Sequence, residues 1–222
     1  MITFEAYHAR LVDYIVRSDH ISNTYYLGQN ANTPLLLGTD RVMRSLSITL
    51  EFRGADRRET TQRISDFTAA VSGKCELALP DGYQYTCILQ NATEPTVTLP
   101  TMMDVTYAFL AIRHGAEITA ALDQPTQVVT VQGNVEAECV LTITPKAALS
   151  SVMVMGITIK NLAANVPVVI DGRKKLVTAG GANKFADTDL ISFPRLKPGP
   201  NSIAISSPAN VTVTLSYYPT YI

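Results

Sequence analysis

The sequence predicts a mostly β protein of two domains, with a single α-helix in the N-terminal one. Three observations carry this. Thr, Val and Ile make up 60 of the 222 residues, and β-branched side chains favour a pleated surface over a helix. Short apolar alternations recur along the chain, divided by Gly, Pro and Asn. Only one segment has helical spacing together with a start signal. Charged residues are 17% of the chain and hydrophobic ones 46%, a surface suited to meeting other protein.

Residues 1 to 40 carry the weakest pattern. Tyr7 to Val16 has no clean period, and Asn23, Gly28, Asn30, Asn32, Pro34 and Gly38 mark loops. The run Leu35-Leu36-Leu37 among them is expected to be either a strand or a buried contact arm. From Met43 the signal sharpens. Leu46, Ile48, Leu50 and Phe52 alternate with polar residues, as in a half-buried strand. Asp56 and Glu59 then form a capping-box pattern. Ile64, Phe67 and Val71 fall on one face of the helix that follows, expected over residues 56–72, with Gly73 placed for a left-handed C-cap.

Pro80-Asp81-Gly82 divides two alternating runs, which predicts a hairpin with a three-residue turn. Pairing Leu79 with Tyr83 puts Leu77 opposite Tyr85 and Cys75 opposite Cys87. Two readings stand for that pair: a redox-sensitive couple, or two thiols acting as small buried hydrophobes. Thr93 to Pro100 is a further extended piece. Asp104 to Arg113 is apolar on both faces and is expected to be a central strand.

Residues 115–134 read as a connector with loose strands at Ala116 to Leu122 and Thr126 to Val131, and the domain boundary is placed at 130/131. The remainder, 131–222, reads as a β-sandwich. Its strands are expected at Val135 to Thr144, Val152 to Lys160, a hairpin at 168–177 around Asp171-Gly172, Ser202 to Ser206, and Val211 to Tyr218.

Several function classes find no support. Lys and Arg number 18 against 19 Asp and Glu, so no basic field exists for a nucleic acid. No apolar window is long enough for a membrane helix, and the first residues lack a secretory pattern. Three cysteines are too few for a disulfide framework, which suggests folding in a reducing cytoplasm. His8, His20 and His114 have no metal-ligand spacing and are expected at surfaces or interfaces. No nucleophile elbow, dinucleotide fingerprint or Walker motif is present. Gly180-Gly181-Ala182-Asn183-Lys184 reads as a β-turn. Asp187 and Asp189 read as turn residues rather than a glycosidase pair, since their spacing does not put them on opposite sides of a substrate. Arg173-Lys174-Lys175 reads as a solvated hairpin tip. No catalysis, cofactor or metal is expected. Tyr217, Tyr218 and Tyr221 are candidates for stacking on sugar rings, with packing in the sandwich as the alternative.

Two stretches carry a resemblance. The first, Leu46 to Tyr85, contains F-R-G-A-D, then R-R-E-T-T-Q-R-I-S-D-F, then L-A-L-P-D-G-Y-Q-Y. The second, Asn134 to the end, contains G-I-T-I-K-N-L at 156–162, V-V-I-D-G-R-K-K-L-V-T at 168–178, F-P-R-L-K-P-G-P-N-S-I at 193–203 and a terminal Y-Y-P-T-Y-I. Over about two thirds of the chain this succession resembles the phage distal tail protein family, often called Dit, of long-tailed phages.

The resemblance implies an N-terminal ring-forming domain (1–130) and a C-terminal galectin-like sandwich (131–222). It implies a homohexameric ring at the distal end of the tail, joining the tail tube protein to a tail-tip or tail-associated protein and to receptor-binding or baseplate components. It also implies a channel for genome passage and a place in the virion. Leu35, Leu36 and Leu37 would then belong to an arm reaching a neighbouring subunit. The alternative reading is a carbohydrate-binding module for host-surface attachment, using Tyr217, Tyr218 or Tyr221.

Overall fold

A computed structural model describes residues 1–17, 20–29 and 32–222. It has the expected class, many strands with one α-helix. Contacts divide it into two compact units, Met1–Arg113 with Ile222, and His114–Tyr221. The division falls before the expected boundary at 130/131, because both connector strands pair with strands of the C-terminal part.

In the first unit, β1 (Ala9–Val16) is an edge strand on β4 (Arg44–Arg53). Its register shifts between Leu11 and Asp13. That irregularity interrupts the alternation of side chains, which is why Tyr7 to Val16 shows no period. Between them β2 (His20–Tyr26) and β3 (Leu35–Val42) pair with each other. The helix α1 (Arg57–Val71) follows β4. Then come β5 (Lys74–Ala78), β6 (Gln84–Ala92), β7 (Thr96–Leu99) and β8 (Met102–His114). The sheet runs β1-β4-β8-β6-β5, with β7 alongside β8.

Leu46, Ile48, Leu50 and Phe52 of β4 and Val105, Tyr107, Phe109 and Ala111 of β8 are all buried on one face. The helix covers that face with Ile64, Phe67 and Val71. Phe67 is the centre of the contact, 5.1 Å from the Tyr107 ring, 5.7 Å from Phe52 and 5.4 Å from Tyr7 between centroids. The Tyr107 hydroxyl meets Thr68 Oγ1 at 2.9 Å, so its polar end is satisfied at depth.

The opposite face of β8 departs from expectation. Thr106, Ala108 and Leu110 are only half-buried and Ile112 is exposed. The strand is central within the sheet but not buried on both sides.

Helix α1 starts as its sequence predicts. The Asp56 carboxylate accepts from Glu59 N at 2.8 Å, while the Glu59 carboxylate accepts from Ala55 N at 2.6 Å. Its end does not. Gly73 is absent from the left-handed residues. Ser72 closes the helix instead, its N and Oγ both donating to Ala69 O. A side-chain hydroxyl there does the work a left-handed glycine would do elsewhere.

The β5–β6 hairpin has the expected register: Leu77 faces Tyr85 and Cys75 faces Cys87. Gly82 N donates to Leu79 O and Leu79 N donates to Tyr83 O. Gly82 takes φ +82°, the one left-handed residue a turn of this length requires.

The second unit begins with β9 (Ile118–Leu122) and β10 (Thr126–Val131). It continues with β11 (Ala137–Pro145), β12 (Leu149–Val154), β13 (Ile157–Leu162), β14 (Val168–Asp171), β15 (Leu176–Ala179) and β16 (Ala182–Asn183). It ends with β17 (Arg195–Leu196), β18 (Gly199–Ala204) and β19 (Val211–Tyr217). One layer runs β16-β15-β14-β11-β19-β9, with β17 beside β11. Opposite it lie the pairs β10–β18 and β12–β13. These two pairs are tied by Met155 N to Ala204 O and Ser206 N to Met153 O. Leu141, Ile143, Ile170, Val213 and Leu215 from one layer share a core with Val152, Val154, Ile159 and Ile203 from the other. This is a β-sandwich.

Two local readings change. Val152 to Lys160, expected as one strand, is a hairpin that turns at Met155 and Gly156, both at positive φ. The loop after Asp171 spans residues 172–175, longer than the Asp-Gly pair predicts. Asp171 Oδ1 accepts from both Arg173 N and Lys174 N, and Lys175 takes the left-handed position. Gly172 is needed for space, since a Cβ there would meet Cys139 O at 2.6 Å. The Gly180-Gly181 turn joins β15 to β16 as predicted.

Candidate assembly surface

The surface that stands out is the ribbon of β2 and β3. Tyr26 faces Leu35, Tyr25 faces Leu36, and Thr24 faces Gly38, leaving Leu37 as an extra residue on β3. Midway along it, Asn23 and Thr39 face each other and are joined by a side-chain hydrogen bond of 2.8 Å. Towards its tip the ribbon is apolar and uncovered. Leu35, Leu36 and Leu37 are 62%, 60% and 62% exposed, and Tyr25, Tyr26 and Leu27 are exposed beside them. Among the described residues the ribbon pairs with no other strand.

An isolated two-stranded ribbon is marginal in water. A contiguous apolar patch on such an element marks a surface that another protein covers. Of the two readings of Leu35 to Leu37, a strand or a contact arm, the strand is present, and its side chains are exposed within this chain. Tyr25, Tyr26 and Leu27 were missed by the sequence reading. Their signal is present: bulky apolar residues flank the Gly-, Asn- and Pro-containing stretch 28–34 on both sides.

Residues with chemical potential are not brought together. His8 is exposed at the end of a short 3-10 turn, and the side chain of His20 lies outside the described residues. His114, expected at a surface or interface, is buried. Its Nδ1 lies 3.0 Å from Gly115 O and its ring 5.0 Å from that of Tyr218. No group of three or more His, Cys, Asp or Glu is arranged to hold a metal among the described residues. No described helix is long and apolar enough to cross a membrane.

Asp187 accepts from Lys184 Nζ at 2.7 Å and Asn161 Nδ2 at 2.9 Å, which holds its carboxyl below the usual range. Asp189 accepts from Thr158 N at 2.6 Å, with the same effect. Both tie loop to strand, as their turn reading predicts. The basic tip is less solvated than predicted. The Arg173 guanidinium lies 4.2 Å from the centre of the Tyr218 ring, and Lys175 Nζ is 2.6 Å from Glu138.

The three tyrosines form no open platform. Tyr217 is buried, with its hydroxyl 3.3 Å from Gln132 N. Tyr218 is half-buried between His114 and Arg173. Tyr221 is half-buried, its ring close to Gly115.

A family model and solved structures match the chain. A family model described as the siphovirus-type tail component, C-terminal domain, matches residues 132–221. No curated protein matches the chain. Among solved structures, the SPP1 Dit protein, described as a paradigm of the hub adsorption apparatus in phages infecting Gram-positive bacteria, aligns with a TM-score of 0.72. It is 11% identical and is matched over 98% of this chain and 95% of its own. A chain of the phage P2 baseplate in its activated conformation with Ca aligns at 0.61, with 12% identity over 96% and 90% of the two chains. A chain of the same baseplate with Sr aligns at 0.58, with 12% identity over 94% and 90%.

Proposed function

We propose that this chain, whose residues 132–221 belong to the siphovirus-type tail component family and whose whole fold is that of a phage distal tail protein, is a structural hub of a phage tail tip. In this reading six copies close into a ring at the distal end of the tail. The first unit (residues 1–113) makes the ring, and the second, read as galectin-like, projects from it. The ring joins the tail tube protein to the tail-tip protein, carries receptor-binding or baseplate components, and leaves a channel for the genome. The protein acts by assembly rather than catalysis, within the virion.

The observation that carries the reading is the uncovered apolar ribbon. Closed rings are built from heterologous contacts, in which one patch of a subunit meets a different patch of the next. A projecting ribbon is suited to such a contact, because it reaches beyond its own subunit without requiring a matching ribbon in return. Full burial of a large apolar side chain gains about 1.5–3 kcal/mol. Leu35, Leu36 and Leu37, with Tyr25, Tyr26 and Leu27, therefore hold enough driving force to offset much of the cost of association. The free edge of β1, with Val12 and Ile15 exposed, is a second unsatisfied surface of the same unit.

Light scattering of the purified chain, followed by negative-stain imaging of the same peak, tests this. Six copies of 24.1 kDa predict about 145 kDa and a six-fold ring with an open centre. A monomer that stays monomeric when mixed with tail tube and tail-tip proteins would overturn it.

A further inference from the structure

We propose that Cys75 and Cys87 are a dithiol–disulfide couple, open under reducing conditions and closed by small-molecule disulfides, that pins the β5–β6 hairpin at the sheet edge.

The geometry is set by the hairpin turn. Leu79 N bonds Tyr83 O, and counting back in register places Cys75 directly opposite Cys87. Directly opposed residues of antiparallel strands have Cα atoms about 4.5–5.5 Å apart, inside the roughly 4.4–6.8 Å range of natural bridges. Both side chains point to the same side of the sheet, into the core under α1. Both are free. The third cysteine, Cys139, lies in the other unit, buried in the sandwich. The pair therefore has no competing partner within its own unit.

The two thiols differ in a way that orders the chemistry. Cys75 is on the edge strand and is slightly exposed, while Cys87 is fully buried. The hydrogen bond from Cys87 lowers the Cys75 thiol below its ordinary value, and the same contact together with burial pushes Cys87 up. Cys75 is thus the nucleophile. Its thiolate attacks one sulfur of a low-molecular-weight disulfide, forming a mixed disulfide and expelling one small thiolate. Cys87 then gives up its proton and attacks Cys75 Sγ, expelling the second. The pair loses two protons and two electrons, and the small disulfide becomes two thiols.

The site of closure matters to the unit. Ile2 N donates to Glu76 O at 2.8 Å, and Ile2 bridges Leu77, so the N-terminus is held by β5. Helix α1 packs on the same strand. A bond from β5 to β6 fastens all three.

The test uses the full chain, equilibrated in glutathione buffers from fully reduced to fully oxidised, quenched with iodoacetamide in denaturant and read by intact mass and peptide mapping. The expected result is loss of two alkylatable thiols of the three, a Cys75–Cys87 linked peptide, full alkylation of Cys139, and a Tm several degrees higher in the oxidised form. Cys139→Ser keeps the loss of two thiols, the Cys75–Cys87 linked peptide and the Tm shift, and Cys75→Ser abolishes the redox dependence. Three alkylatable thiols persisting in excess oxidised glutathione, including after partial unfolding and refolding in that buffer, would overturn the proposal. So would a stable glutathione adduct on Cys75 with no bridge.

Discussion

Tyr25 and Leu36 lie opposite each other across the β2–β3 ribbon, and both side chains are more than half exposed. A cross-strand apolar pair normally stabilises a sheet by packing against a covered face. Here the face is open, so in the ring reading the pair is available for an intermolecular contact. Replacing both with Ser is expected to shift the oligomer to smaller species by sedimentation velocity. The change in the stability of the subunit itself should stay within about 0.5 kcal/mol, as for other exposed positions.

Phe67 has the opposite role. Its ring touches Phe4, Tyr7, Phe52 and Tyr107 and is fully buried. Phe67→Ala is expected to cost about 3–5 kcal/mol in the first unit. Urea denaturation should show an early transition for that unit, with the transition of the sandwich unmoved.

The cap of α1 is a smaller contribution. Asp56→Ala removes the acceptor of Glu59 N and is expected to lower stability by about 1 kcal/mol. Asp56→Ser, which keeps a side-chain acceptor, should recover most of the loss in the same denaturation experiment.

The two loop carboxylates make the sandwich acid-sensitive. Hydrogen bonds from Lys184 and Asn161 lower Asp187, and those from Thr158 lower Asp189, below the ordinary 3.8. A depressed carboxylate stabilises the fold above its unfolded value and loses that contribution as pH falls through the folded value. The Tm of the second unit is therefore expected to drop faster below about pH 4 than that of an Asp189→Asn variant. Calorimetry from pH 6 to pH 3 would show it, and parallel curves would refute it.

Tyr217, Tyr218 and Tyr221 decide the lectin alternative. Tyr217 is buried and Tyr218 is held between His114 and Arg173, so neither of these two offers a sugar a flat open face. A glycan array is expected to give no specific signal. A signal abolished by Tyr221→Ala would restore the carbohydrate-binding reading.

Gly133 shows how a fold detail hides from sequence. Its φ is +101°, and a Cβ there would meet Thr220 O at 2.5 Å. In the sequence it reads as one more loop glycine before Asn134. Its necessity comes from a chain segment far along the sequence lying against it. The same holds for β9 and β10. Each is visible as a loose strand, but their partners, β19 and β18, lie roughly 70 to 100 residues away, and nothing local names a partner. This displaced the expected boundary.

The sequence alone determined what depends on neighbours along the chain. Alternation at 46–52 made a strand, Asp56 and Glu59 started a helix, and Pro80-Asp81-Gly82 set the register that brings Cys75 to Cys87. Each rests on backbone geometry within a few residues, so each was legible. The tertiary structure decided which faces are covered. Leu35, Leu36 and Leu37, legible only as a strand or a contact arm, stand exposed, while His114, expected at a surface or interface, and Tyr217, a candidate for sugar stacking, are buried. Burial is a property of what packs against a residue across the fold, and apolar character states only that something must.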